Sequence, residues 1–325
     1  MSTFESLYNL FSQQLIEEIS QIKRRVPEKL YDPIIYSLNM GGKRIRPVML
    51  LMSYEMFKTD IEKALPAAVA IELFHNFTLL HDDIMDEAGL RRNLETVHVR
   101  YSNNAAILSG DAMSILSYEY IIRYNHLNDV VNLFTQTALK ICEGQQFDMD
   151  FESRMDVSVD EYLNMIGLKT AVLLAASLKL GANIAEAPEK EAQLLYEIGY
   201  NLGLAFQLQD DLLDTFGDQK TFGKNIGGDI VSNKKTFLLI NALELATEAQ
   251  LAELKKWLNS KDFDRQEKID AVKKLFVDLN IYEITKSKID FYFLTAKKCW
   301  EQLNLEEHRK EGLLDFAVKL MDRQN

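Results

Sequence analysis

The chain has little of several things that mark small, stapled or exported proteins. It holds two cysteines, Cys142 and Cys299, far apart in 325 residues, too few for a disulfide framework or a cysteine-rich zinc site. Glycine and proline number 14 and 5, together about half the share usual in globular chains. Turns are therefore few and elements long, which favours helices over many short strands. A basic excess is also missing: 37 Lys and Arg against 49 Asp and Glu leave a formal net charge of −12, which argues against a nucleic-acid partner. The start, Met1-Ser-Thr-Phe-Glu-Ser-Leu-Tyr8, lacks the basic and apolar regions of a signal peptide. The apolar run Ala171–Leu178 is far shorter than the roughly 18–20 residues that span a bilayer. These absences together predict a reduced, soluble, cytoplasmic protein with no stable membrane insertion.

What is present is apolar and periodic. Apolar residues make up 47% of the chain, enough for a sizeable core. Leu7, Leu10, Phe11, Gln14, Leu15, Glu18 and Ile19 recur at spacings of three and four, one face of an amphipathic helix. Pro27 and Pro33 punctuate its exit, Gly41-Gly42 marks a turn, and Pro47 sits in the first turn of the next helix. Further helices are expected at about 47–57, 64–87, 104–124, 128–148, 159–180 and 188–215. From Glu244 the chain becomes more charged and reads as amphipathic helices wrapped around a core already formed. With no flexible linker, residues 1–325 read as one all-α domain of ten or more helices.

A five-residue acidic pattern occurs twice, as Asp82-Asp83-Ile84-Met85-Asp86 and Asp210-Asp211-Leu212-Leu213-Asp214. On a helix the first and last aspartates of each lie one turn apart on one face, where like charges repel. A divalent cation relieves that repulsion, and Mg²⁺ favours one or two carboxylates plus phosphate oxygens and water. One such run is usually a solvated helix face. Here each closes an apolar helix, which points to two metal-binding walls. Cations cluster nearby in sequence: Gly41-Gly-Lys-Arg-Ile-Arg-Pro47, Arg91-Arg92, Lys224 and Lys234-Lys235. Each alone is ordinary surface charge; beside acidic runs they suit a diphosphate bridged through metal.

In these motifs the sequence resembles the trans-isoprenyl diphosphate synthases, the polyprenyl synthetase family of farnesyl and geranylgeranyl diphosphate synthases. The matching segments are Leu79–Arg92, Phe206–Asp218, the Gly-Gly-Lys-Arg-Ile-Arg-Pro run, Thr96-Val-His98, Ala106–Ala112, Lys169-Thr170 and Lys224 through Lys235, spread over roughly residues 40–240. Gly89 stands where the family commonly has proline and Asn93 where it commonly has glycine. The resemblance implies a single helical bundle around a deep central cavity, usually homodimeric. It implies that Asp82, Asp86 and Asp210 bind Mg²⁺, three ions per site, with Asp83, Asp211 and Asp214 in support. Arg91, Lys169 and Lys234 would hold an allylic prenyl diphosphate; Lys43, Arg46, His75 and Arg92 would hold isopentenyl diphosphate. Thr170 and Gln207 would turn oxygens toward the developing allylic cation, and Lys224 would add a diphosphate contact.

Such a reaction asks for stabilisation of a departing diphosphate and exclusion of water. The released diphosphate can take the proton, so no nucleophile–base set is needed. A class I terpene cyclase, a non-catalytic partner subunit and a longer-chain synthase are the competing readings. The cyclase would replace the second Asp run by an Asn/Asp…Ser/Thr…Glu pattern and has no use for Lys43–Arg46; a partner subunit would show degenerate acidic runs. For product length, Phe77 lies five residues before Asp82, about 7.5 Å deeper along a helix, with Thr78 one turn below Asp82 on its face. The resemblance makes Phe77 the floor that stops growth at about C15–C20.

Overall fold

The computed structural model describes residues 2–127, 129–217 and 226–321. Its regular elements are almost all helical: α1 (Phe4–Ile22), α2 (Glu28–Asn39), α3 (Ile45–Glu55), α4 (Leu65–Met85), α5 (Val97–Arg100), α6 (Asn103–Ile121), α7 (Val130–Glu152), α8 (Val159–Ile166) and α9 (Val172–Ile184). There follow α10 (Glu189–Phe216), α11 (Gly228–Val231), α12 (Phe237–Leu245), α13 (Glu248–Asn259), α14 (Arg265–Asp278), α15 (Ile281–Glu301) and α16 (Glu307–Met321). The sheet among the described residues is one antiparallel hairpin, Leu90–Arg91 with Leu94–Glu95. The all-α expectation holds.

The chain divides into two compact units interleaved in sequence: Met1–Thr135 with Ala176–Leu195 and Asn304–Leu314, and Gln136–Ala175 with Tyr196–Leu303 and Asp315–Asn325. The first is centred on α4, apolar on nearly every face and buried from Ala67 through Phe74, packed between α3 and α6. Burying such a helix all round removes the amphipathic signature that surface helices carry. The core of the second unit joins Ala171, Leu204, Leu208 and Leu238 to Leu254, Ile269, Phe276 and Ile289. The charged C-terminal helices therefore supply core side chains of their own, where the sequence suggested a wrapping. Their charges dilute the composition, but the apolar stripe at helical spacing is intact.

One further expectation is revised. Pro33 lies inside α2 and is buried, so the helix runs past it; the amide that proline lacks would have bonded Lys29, one turn from the helix start. Residues Val159–Ile184 form a stretch long and apolar enough to cross a membrane, with an 18-residue window of mean hydropathy 1.5 of which 78% is buried.

Candidate active site

The first acidic run closes α4. Asp82 is half-buried and Asp86 is exposed at the helix C-cap, its N–H donating to the Asp82 carbonyl at 2.8 Å. Asp83 faces the other way and is buried. Both of its oxygens accept from Arg91 Nε at 2.8 Å, and Arg91 Nη2 lies 2.7 Å from Oδ1. Arg91 Nη2 also reaches within 3.8 Å of Asp82 Oδ2. Burial pushes the Asp83 carboxyl up, and Arg91 pulls it back. The hairpin makes this contact possible: Arg92 and Asn93 both have positive φ, 54° and 63°, as a two-residue primed turn requires. Asparagine tolerates that backbone better than other non-glycine residues, which explains why Asn93 can stand in a glycine position.

Opposite charge gathers beside it. Gly41 and Gly42 have φ of 78° and 134°, and a Cβ on Gly42 would lie 2.7 Å from the Arg92 guanidinium. Only glycine lets Arg92 Nη1 donate to the Gly41 carbonyl. Arg44, left-handed at φ 46°, is buried; its guanidinium pairs with Glu72 and donates to the Leu38 carbonyl at 2.6 Å. Asn76 Nδ2 donates to the same Glu72 oxygen at 2.7 Å. Arg46 Nη1 lies 3.2 Å from His75 Nε2. An arginine can only donate, so Nε2 accepts and the proton sits on Nδ1. Burial, then Arg46, Arg92, Arg91 and Arg44, hold the imidazole well below its ordinary range, hence neutral. Lys43 is exposed. Thr78 Oγ1 donates to the His75 carbonyl at 2.8 Å. Phe77 is half-buried and starts a row of edge-on rings: His81 at 4.8 Å on one side, and Phe74, Phe134 and Tyr118 on the other at 5.3, 5.3 and 5.0 Å.

The second run, in α10, has the same outline and different partners. Asp210 is half-buried; Asp211 is buried. Asp211 accepts from the Tyr162 hydroxyl and, at 3.0 Å, from Gln207 Nε2. The other end of the Gln207 amide accepts from Thr170 Oγ1 at 3.1 Å. Burial and neighbouring Asp229 push the Asp211 carboxyl up to about 7, against the pull of Tyr162, Gln207 and Lys234. Asp214 Oδ2 accepts from the Asp229 N–H at 2.9 Å, serving the start of α11 where Gly227 has no side chain to do so. A π-turn at Gly167–Ala171 carries Lys169 and Thr170, a widening common where helices carry function. Lys169 Nζ pairs with Asp148 at 2.7 Å. Lys234 is exposed, its N–H donating to the Asp229 carbonyl at 2.9 Å. Lys224 lies outside the described residues.

Among the described residues no three Asp, Glu, His or Cys side chains gather closely enough to hold a metal ion by themselves. That suits Mg²⁺, which takes one or two carboxylates and completes its shell with substrate oxygens and water. Asp82 and Asp210 are half-buried and Asp86 is exposed, while Asp83, Asp211 and Asp214 are held by protein donors. Sequence reasoning missed Glu72, Asp148 and Tyr162; Asp229 stood within a matched motif but was given no role. Glu72 and Asn76 did leave a signal, as polar residues within the apolar stretch of α4.

Helices ending in paired acidic runs, each beside diphosphate-suited cations, define a helical synthase of the kind that handles prenyl diphosphates. The polyprenyl synthetase family model matches residues 27–276, and the chain belongs to that family. It is 40% identical over 269 residues to a short chain isoprenyl diphosphate synthase of Methanocaldococcus jannaschii, covering 81% of this chain and 82% of that protein. It is 39% identical over 288 residues to a geranylgeranyl diphosphate synthase of Sulfolobus acidocaldarius, covering 86% and 87%. A solved geranylgeranyl pyrophosphate synthase superposes with a TM-score of 0.92 at 46% identity, covering 100% of both chains.

Proposed function

We propose that this protein is a trans-prenyltransferase that condenses isopentenyl diphosphate with an allylic diphosphate, making a short-chain prenyl diphosphate of about C15–C20 and releasing diphosphate. The observation that carries this reading is the recurrence of one design: an i, i+4 carboxylate pair whose middle aspartate is locked by the protein. Lys43, Arg46 and Arg92 bind isopentenyl diphosphate, and neutral His75, accepting from Arg46 at Nε2, adds an Nδ1–H donor. Arg91, Lys169 and Lys234 hold the allylic diphosphate, with Lys224 as a further contact. Asp82, Asp86 and Asp210 are the ligands we assign to Mg²⁺, three ions per site, with Asp83, Asp211 and Asp214 orienting the turns. When bound, the metal draws charge from the departing diphosphate. Thr170 Oγ1 donates its hydrogen bond to Gln207 Oε1, which leaves lone pairs on both oxygens to face positive charge at the allylic carbon. Phe77, backed by Phe74 and Phe134, limits chain growth, with Thr78 beside it.

The whole chain acts, on this reading, as one synthase domain in a cytoplasmic homodimer without membrane insertion. Leu108, Ile115 and Ile122, exposed at spacings of seven along α6 and its extension, supply an apolar stripe for a second copy. Incubation with Mg²⁺, an allylic diphosphate and isopentenyl diphosphate tests the reading: elongated prenyl diphosphates support it, and cyclic hydrocarbon or no turnover sinks it.

A further inference from the structure

The mechanism leaves one fully buried charge unused. Lys268, the fourth residue of α14, has no exposed surface. Its ammonium donates to the Val231 carbonyl at 3.2 Å and to Asn233 Oδ1 at 2.6 Å, and the Phe263 ring covers it with its centroid 4.2 Å away. No carboxylate among the described residues pairs with it. A buried ammonium served by two neutral oxygens and a ring is a poor device for stability, because burial costs more than such partners return. Burial lowers its pKa from the ordinary lysine range, in line with that cost.

What the ammonium holds is informative. Val231 ends α11, and Asn233 is left-handed at φ 57°. Asn233 Nδ2 also donates to the Leu258 carbonyl at 3.0 Å, so its side chain is clamped from two helices, α14 and the end of α13. The next residue is Lys234. At the other end of the same segment Gly227 is left-handed at φ 79°, and a Cβ there would lie 2.7 Å from Ile269, the neighbour of Lys268. One turn of α14 thus seats both ends of the seven residues that present Lys234, and Asp229, Asn233, Lys234 and Lys268 line one cavity.

We infer that Lys268 is a positioning residue for the allylic diphosphate: it fixes the left-handed turn at Asn233 and so aims Lys234. This rests on the assignment of Lys234 to that substrate, and the test separates the two. Lys268→Met keeps length and apolar packing and drops the charge. Its thermal midpoint by circular dichroism should be unchanged or higher. Its KM for the allylic diphosphate should rise about tenfold, the scale of one charge-assisted contact, with KM for isopentenyl diphosphate within about twofold. Asn233→Gly keeps the left-handed backbone, removes the clamped side chain, and should move the same KM in the same direction by a smaller factor; it decides the question if Lys268→Met does not fold. Lys234→Ala is the reference. Unchanged allylic KM in the folded Lys268 and Asn233 variants, or a fall in kcat alone, overturns the positioning role while an effect of Lys234→Ala keeps that lysine at the diphosphate. An allylic KM unmoved by Lys234→Ala overturns both.

Discussion

The two acidic runs share five-residue spelling and differ in everything that holds them. In the first, the middle aspartate is gripped by a cation eight residues along the chain, Arg91 on a tight hairpin. In the second, the middle aspartate is gripped by neutral donors, a tyrosine hydroxyl 49 residues upstream and an amide one turn back. A guanidinium pulls against the upward push of burial on Asp83; for Asp211, burial and a second carboxylate outweigh a hydroxyl and an amide and push the carboxyl up to about 7. The same helix geometry thus gives one turn whose buried carboxyl a guanidinium draws back and one whose buried carboxyl is pushed up to about 7. The protein spends its fixed charge where arginines gather and keeps the other turn softer, next to Thr170 and Gln207.

The outer aspartates should hide that difference. Asp82→Ala and Asp210→Ala should each cut turnover by at least ~10³-fold, about 4 kcal/mol of transition-state stabilisation, and turnover should vanish on removing divalent metal. Near-normal kcat in either folded variant breaks the assignment. The middle aspartates should expose it. Asp83→Asn leaves the half-buried Arg91 without its carboxylate and should cost about 2–3 kcal/mol in urea unfolding at pH 7, whereas Asp211→Asn keeps one oxygen for Gln207 and lets the Tyr162 hydroxyl turn to accept from the new amide, and should cost about 1 kcal/mol or less. Equal losses would mean the two environments are equivalent after all.

The cations sharpen the comparison further. Lys43→Ala and Arg92→Ala should mainly weaken isopentenyl diphosphate, and Lys234→Ala the allylic substrate, each by about 1.5–3 kcal/mol. Uniform effects on both substrates in steady-state kinetics would overturn the division of roles. Phe77→Ala should lengthen the products seen by chromatography. It is only half-buried, so the stability cost should sit near the low end for such truncations, about 3 kcal/mol or less; unchanged product length would move the stop elsewhere. The smallest effect belongs to His75. The unfolded imidazole takes up a proton as pH falls through about 6.5, but the folded one, with its pKa lowered, does not. Folded stability therefore falls on acidification from that point. His75→Gln should flatten the loss between pH 7 and 5.5, and a slope equal to wild type would mean the imidazole is charged.

Much of this was readable in advance because it is local. A spacing of four puts Asp82 and Asp86 on one face whatever surrounds them, and an apolar stretch such as Leu65–Leu80 has few ways to exist except as a buried helix. Gly41-Gly42 announced a turn because only glycine takes φ of 134° without strain. Local rules failed where a proline fell inside α2.

The sequence by itself determined the helical class, the two carboxylate pairs and the set of cations, since each follows from composition or from a repeat within one or two turns. Only the tertiary structure decided which carboxylate of each run is withdrawn into the protein, that His75 stays neutral among arginines, and that Lys268 reaches back 35 residues to Asn233. Those outcomes depend on donors brought from other helices and on the loss of water around them. Burial and partner choice are properties of the packed chain, which no spacing rule along it encodes.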